Sequence, residues 1–209
     1  MRSFTTAELP GRCRQCWIRL EHCICAHLPR VTPRTKVVVV RHAREAMKST
    51  GTVRVLALSM PGAQVLEYGE DTQPAQAQLE PLLDEGTHLL FPGEGAAGWD
   101  ATKVTRLVAL DGTWRQARRM YHRLPALHAL PKLALPAKAD VVLRLRESPS
   151  GEGRSTLEAV ADALALLEGD AVAAPLHRLH ADFVERVFKA RGVWEQKRAM
   201  EKGVAGRVG

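Results

Sequence analysis

Valines crowd the first element of the chain. Thr35–Val40 (TKVVVV) is β-branched and apolar without alternation, the pattern of a strand buried on both faces of a parallel sheet. A polar stretch, Arg41–Glu45, follows, then Lys48-Ser49-Thr50-Gly51-Thr52, then Val53–Leu58, apolar enough to bury one face of a helix. Gln64–Tyr68 reads as a second strand, Ala75–Leu83 as a helix entered after Pro74, and His88–Phe91 as a short third strand running into Pro92-Gly93-Glu94-Gly95. Arg106–Leu110 is a fourth strand with Asp111 at its carboxyl end, and a strongly basic helix starts just beyond Gly112. Leu124-Pro125 and Leu130-Pro131 punctuate what comes next. Lys132–Leu135 and Val141–Leu145 predict further short strands, with a loop at Pro136-Ala137-Lys138. Ser155-Thr156-Leu157-Glu158 matches a capping box, and Leu157, Val160, Ala161, Leu164 and Leu167 repeat at helical spacing behind it. A last helix is expected from about Pro175, with Leu176, Leu179, Phe183, Val187 and Trp194 on its buried side. Strands alternating with helical stretches predict an α/β fold around a parallel sheet.

Composition narrows the class without changing that picture. The 209 residues, 45% apolar and 25% charged, suit one globular domain with a small appendage. The longest unbroken apolar run, Ala163–Leu167, is far short of the roughly 20 residues a membrane span requires, so no membrane partner is expected. MRSFTTAELPG lacks the apolar core of a secretory signal, which predicts a cytoplasmic protein. The formal charge of +7 directs attention to polyanions. Arg186–Gly209 carries seven basic residues against two acids, the pattern of a solvated helix or of an RNA contact. Nothing in the chain points to an obligate protein partner.

All four cysteines fall early, as Cys13-x2-Cys16-x6-Cys23-x-Cys25. In a reducing compartment such a cluster reads as a metal site before a disulfide framework. Four thiolates make the closed tetrahedral shell of structural Zn2+. The tight Cys23-x-Cys25 pair is unusual, His22 and His27 are alternative ligands, and a redox dithiol is the competing reading. The expected division is a four-cysteine zinc-knuckle segment over residues 1–34 and an α/β domain over residues 35–209.

Asp111 is the first candidate for chemistry. A carboxylate at a strand end, followed by Gly112-Thr113-Trp114 and a helix bearing Arg115, Arg118, Arg119 and Arg123, stands beside an anion-attracting surface suited to nucleic acid. The plain alternative is an N-cap, a position Asp favours. Gly51 among hydroxyl residues can present backbone N–H groups to an anion, or Thr50 or Thr52 can simply cap a helix. In open α/β sheets ligands sit outside the carboxyl ends of the strands, which marks the Pro92-Gly93 loop; it is neither a dinucleotide fingerprint nor a P-loop.

Together the cysteine knuckle, His42-x2-Glu45, Thr50-Gly51, Phe91-Pro92-Gly93, Asp111-Gly112-Thr113-Trp114-x2-Ala117-Arg118-x-Met120 and Ser155-Thr156-x-Glu158-Ala159 resemble the DTW-domain family. Ala43 stands where many members have proline, and Lys48-Ser49-Thr50-Gly51 is shorter than the fuller family form. The resemblance implies a SPOUT-like parallel-sheet domain with a C-terminal trefoil knot. It also implies transfer of the 3-amino-3-carboxypropyl group of S-adenosylmethionine to N3 of a tRNA uridine, with methylthioadenosine released. By the same resemblance Thr50, Gly51, Phe91, Pro92, Leu135, Ser155 and Thr156 form the donor pocket. Trp114 walls that pocket or stacks on a base, and Asp111 removes the N3 proton or orients the reactants. Arg115, Arg118, Arg119 and Arg123 would face tRNA phosphates. Two rival readings are a SPOUT-like RNA methyltransferase and a non-enzymatic, zinc-containing RNA-binding protein.

Overall fold

Strand β1 (Lys36–His42) owes its place at the centre of the protein to Val37–Val40, all four buried. It pairs in parallel with β2 (Gln64–Tyr68) on one side and β4 (Arg106–Asp111) on the other; β3 (Thr87–Leu90) lies beyond β4, and β5 (Lys132–Leu133) at the edge. The resulting five-stranded sheet has the order β2-β1-β4-β3-β5 and is parallel throughout. This structure is a computed structural model; it describes residues 10–69, 71, 73–92, 100–136, 143–145 and 153–205, the last five by backbone alone.

Strand alternation distributes the core between the two faces of the sheet. Val37, Val39 and Ala109 pack against α2 (Thr52–Ser59), α5 (Thr156–Glu168) and α6 (Asp170–Ala190). Val38, Val40 and Val108 pack against α3 (Gln73–Leu79) and α4 (Trp114–Arg123). Each such fully buried aliphatic side chain contributes about 1.5–3 kcal/mol. A single turn, α1 (Ala43–Ala46), follows β1, and α7 (Trp194–Ala205) ends the described chain. No helix of the described residues is long and apolar enough to cross a membrane.

The cysteine segment has little regular structure beyond an antiparallel bridge between Arg12 and Arg19 and two single turns, Leu20–His22 and Cys25–His27. It is nonetheless continuous with the α5–α6 side of the core, into which Cys16, Ile18 and Ile24 are buried. The Arg186 guanidinium on α6 donates to the Cys23 carbonyl at 2.9 Å.

Several boundaries depart from the pattern reading. β1 runs on through Arg41 and His42, because strand pairing with Glu67, Tyr68 and Asp111 satisfies their backbones despite their polarity. The helix expected over Ala75–Leu83 covers Gln73–Leu79 and tightens into a short turn at Glu80–Leu82, where Pro81 cannot donate. The last long helix begins at Asp170, and Pro175 sits inside it within the first two turns. Trp194 does not extend that helix; the chain breaks at Gly192, φ +71°, and Trp194 opens α7 half-buried. β5 is confined to two residues. Of the strand expected over Val141–Leu145, residues 143–145 are not extended into a ladder and the rest lies outside the described residues. The expected knot depends on the path through 137–142 and 146–152, also outside them.

Candidate active site and metal centre

Asp111 is the last residue of β4 and is buried, 8% exposed. It does not cap the helix that follows. That task falls to Thr113, whose hydroxyl accepts from the Gln116 N–H while the Gln116 side chain accepts from the Thr113 N–H, a complete capping box. Gly112 permits the turn, since a Cβ there would stand 2.9 Å from Gln116 Cβ. With its backbone in the sheet and the helix capped by another residue, the Asp111 carboxylate is held toward α5, where Thr156 Oγ1 donates to its Oδ1 at 2.6 Å.

Two helix starts converge with Asp111 on this face of the carboxyl edge. Helix α5 begins at Thr156 behind Ser155, whose hydroxyl accepts from the Glu158 N–H as its N-cap. Helix α2 begins at Thr52 behind Gly51, and no side chain caps it. The two are joined by the Leu157 N–H donating to Thr52 Oγ1 at 3.4 Å. Thr52 therefore belongs to the site's framework, and Thr50 is buried just before it. A Cβ on Gly51 would meet the Lys48 carbonyl at 3.1 Å, so this turn suits glycine. Leu135 packs with Val104, Leu107 and Leu133 at the far side of the sheet edge. Arg154, just ahead of Ser155, donates to the Pro136 carbonyl at 2.7 Å and pairs with Asp162, fastening the strand exit at β5 to α5. Residues 93–99, which include most of the Pro-Gly loop, lie outside the described residues.

Phe91 and Trp114 meet, but on the opposite face. Phe91 follows β3 into the α3–α4 side of the core and stacks on Trp114 with ring centroids 5.3 Å apart and on Tyr121 at 5.1 Å. Trp114 remains 53% exposed. Beside it on α4, Arg115, Arg118, Arg119 and Arg123 are all exposed to solvent, while Ala117 and Met120 face the core. His42, at the end of β1 on this same face, accepts from the Arg44 N–H at Nδ1; burial, then the charge of Arg44, lowers its pKa and keeps the ring neutral near neutral pH. Tyr121 was not among the residues singled out from sequence, although its spacing of seven from Trp114 places both on one side of α4.

The four thiols form the second candidate centre. Cys13 Sγ lies 3.6 Å from Cys25 Sγ and Cys16 Sγ 3.8 Å from Cys23 Sγ, and all four lie within 4.8 Å of one another. A tetrahedral shell with metal–sulfur bonds of about 2.3 Å has sulfur–sulfur edges of about 3.8 Å, so the set fits a bound metal ion. All four are free thiols. Burial raises the Cys16 and Cys25 thiols, and for Cys25 the neighbouring thiols add to it. At Cys13 burial also acts upward but is outweighed by backbone N–H groups, first that of Cys16, which bring the thiol down to about 6. His22 and His27 are outside this set among the described residues.

The module is tied to the site by a pair the sequence did not announce. The Arg54 guanidinium of α2 lies 3.7 Å from the ring centroid of buried Trp17 and donates to the Ala46 carbonyl at 2.6 Å. Trp17 itself takes a left-handed backbone, φ +63°.

A family model described as DTW domain matches residues 11–188, spanning the cysteine module and the sheet. The chain is similar to tRNA-uridine aminocarboxypropyltransferase 2 of Drosophila melanogaster, 31% identical over 192 residues that cover 83% of this chain and 76% of that protein. It is 28% identical to the Mus musculus protein of the same name over 179 residues, and 25% identical to that of Macaca fascicularis over 175. Each of these two alignments covers 78% of this chain but 58% of the relative, so the chain spans under two thirds of the mammalian proteins. No solved structure matches the chain.

Proposed function

This chain belongs to the DTW domain family, and on that premise we propose that it transfers the 3-amino-3-carboxypropyl group of S-adenosylmethionine to N3 of a tRNA uridine. The named activity of its relatives supports the reading. The observation that carries it is Asp111: a buried carboxylate at the carboxyl end of a central parallel strand, relieved of capping by Thr113 and oriented by the Thr156 hydroxyl.

The donor supplies a carbon activated by a neighbouring sulfonium. The protein must supply alignment and a sink for the N3 proton. Asp111 takes that proton; the N3 electron pair forms the new bond to Cγ, and the Cγ–S electrons leave with methylthioadenosine. Thr156 holds Asp111 in register, so it is a positioning residue. The α2 start at Gly51 has no side-chain cap, which leaves backbone N–H groups to receive the methionine carboxylate. Ser155 keeps α5 in place by capping it, and Thr52 links the two helix starts. The exposed arginines of α4 meet tRNA phosphates. We assign zinc to the four-thiolate shell, because four sulfur ligands in a closed tetrahedron are its usual structural site.

Incubating the full chain with unmodified tRNA and S-adenosylmethionine, then weighing both the digested nucleosides and the spent donor, tests this reading. The expected products are aminocarboxypropyluridine and methylthioadenosine. S-adenosylhomocysteine with a methylated nucleoside would instead make the protein a methyltransferase, and absence of turnover with tRNA bound would make it a binding protein.

A further inference from the structure

Trp17 occupies a backbone position suited to glycine. Its N–H donates to the Cys13 carbonyl at 2.9 Å, closing the turn that carries Cys13 and Cys16, and its backbone is left-handed, φ +63°. Glycine enters that region freely, whereas a residue with a bulky ring is strained there. The indole adds a second penalty, because its Nε1 is buried with no hydrogen-bond partner among the described residues. A strained residue persists only where its surroundings over-determine it. At Trp17 those surroundings are α2: the ring is 6% exposed, and the Arg54 guanidinium lies over it, 3.7 Å from the centroid.

The same guanidinium donates to the Ala46 carbonyl at 2.6 Å, reaching from the first turn of α2 back to the last residue of α1. It thereby closes the turn over residues 47–51, within which the Lys48 N–H donates to the Glu45 carbonyl and the Gly51 N–H to the Lys48 carbonyl. One planar cation touches the module on one side and sets the entry to α2 on the other. The charged groups facing it are Arg41 from β1, Glu67 from β2 and Cys16 from the module. Four thiolates around a divalent ion leave a net negative charge beside Trp17, so a loaded module favours the docked guanidinium.

We propose that Trp17 and Arg54 form a strut that couples metal loading of the cysteine module to the conformation of the turn over residues 47–51, each stabilising the other. The metal centre then does more than hold a small segment together, because it sets the turn from which α2 starts. The consequence for S-adenosylmethionine rests on the proposed placement of the donor at Gly51; the coupling itself does not.

The test uses the full chain loaded with zinc. Trp17→Gly suits the left-handed backbone and keeps all four thiols, so it should still bind zinc. Amide hydrogen exchange over residues 47–53 should nevertheless quicken about five- to tenfold while α5 keeps its protection. Arg54→Met leaves every residue of the module in place and should weaken zinc, measured by chelator competition, about five- to tenfold as well, since coupling between two sites is reciprocal. Adding Trp17→Gly to Arg54→Met should move neither reading further, and Arg54→Lys should recover part of both. Packing alone would lower the melting temperature of these variants without moving zinc affinity in Arg54→Met. Unchanged zinc affinity in Arg54→Met would overturn the strut even if Trp17→Gly did not fold, as would unchanged exchange in Trp17→Gly or a double variant whose losses add. Saturating S-adenosylmethionine should raise the zinc affinity of the parent and not that of Arg54→Met. If the variants behave as stated but the donor leaves zinc affinity unchanged, the placement of the donor at Gly51 fails and the strut stands.

Discussion

The four thiols of the cysteine module converge across a chain interval of twelve residues, whereas Thr156 reaches Asp111 across 45 and Leu157 reaches Thr52 across 105. The first constellation closes short loops, at small entropic cost, but the backbone bonds within the segment are confined to turns and one β-bridge, with no extended helix or sheet ladder of its own to hold it. A metal ion would supply what is missing. The second constellation has the reverse economy. Its residues are distant in sequence, and the sheet that brings them together is stabilised by the buried valines of β1 and by two faces of helices, with no ion required. One region is local and arranged as a metal ion would require; the other is non-local and held by the packing of the sheet.

Removing the ion should therefore produce the largest effect. Structural zinc in small modules carries about 10–16 kcal/mol of apparent binding free energy at neutral pH, and Cys16, 1% exposed, sits in the shared core with Ile18 and Ile24. Treatment with a strong chelator, or Cys16→Ser, should release one equivalent of metal and lower the melting temperature severely, with the loss reaching α6 through Arg186. Metal release with an unchanged melt would mean that the module is held by packing alone, and the contrast between the two regions would collapse.

Next in size is Asp111. Asp111→Asn preserves shape and should reduce single-turnover transfer by about 10²–10⁴-fold, the usual contribution of a general base, while the melt shifts little because the sheet holds the site. Thr156→Val should cost less, since it frees the carboxylate without removing it, and the loss should appear in kcat more than in KM. Full turnover by Asp111→Asn would remove Asp111 from the chemistry.

The bridge between the regions comes third. Arg54 stacks on Trp17 of the module and holds the Ala46 carbonyl just ahead of the α2 start. Arg54→Ala should cost about 1–3 kcal/mol, from a desolvated cation–π contact and a charged hydrogen bond, and should raise the KM for S-adenosylmethionine several-fold through Gly51. Denaturant melts and donor titrations check it. A stability loss with no change in donor affinity would show that the module and the site are mechanically separate.

How much of this was readable in the sequence follows the same division. Val37–Val40, the capping box at Ser155 and the cysteine spacing are local signals, and they located β1, α5 and the thiol shell. Asp111 was equally readable as a helix cap, because Asp favours that position; the structure gives the cap to Thr113 through its reciprocal bonds with Gln116. The bond from Thr156 to Asp111 has no periodicity at all; it exists because parallel strands and their crossover helices return distant segments to one edge. The stack of Phe91 on Trp114 and Tyr121 was half visible. Trp114 and Tyr121 share a helix side, but Phe91 enters from another strand and turns two rings into a stack. Trp17 and Arg54, 37 positions apart by number, join only once the module is folded onto α2.

The smallest predicted effect concerns the point where the module passes into the sheet. Glu168, at the end of α5, accepts from the Arg34 N–H at 2.8 Å and from the Thr35 N–H at 2.7 Å, immediately before β1. Burial acts upward on this carboxyl, but those two backbone donors, Thr35 first, outweigh it and hold its pKa below the usual value. A carboxylate depressed in the folded state adds stability that is fully present above its unfolded value of about 4.3 and is lost as the pH falls through the folded value. Because the group is partly exposed, its two bonds amount to about 1 kcal/mol after screening. Glu168→Gln should accordingly lower the melting temperature slightly at neutral pH, and the gap from the parent should close in acid, below the pH where free glutamate protonates. A gap that stays constant into acid would mean that shape, and not charge, fastens the exit of the module to α5. Pairing Glu168→Gln with Arg54→Ala then measures whether the two attachments of the module act independently: additive losses would leave the two regions joined at separate points, and a coupled loss would make the module, α2 and α5 one unit.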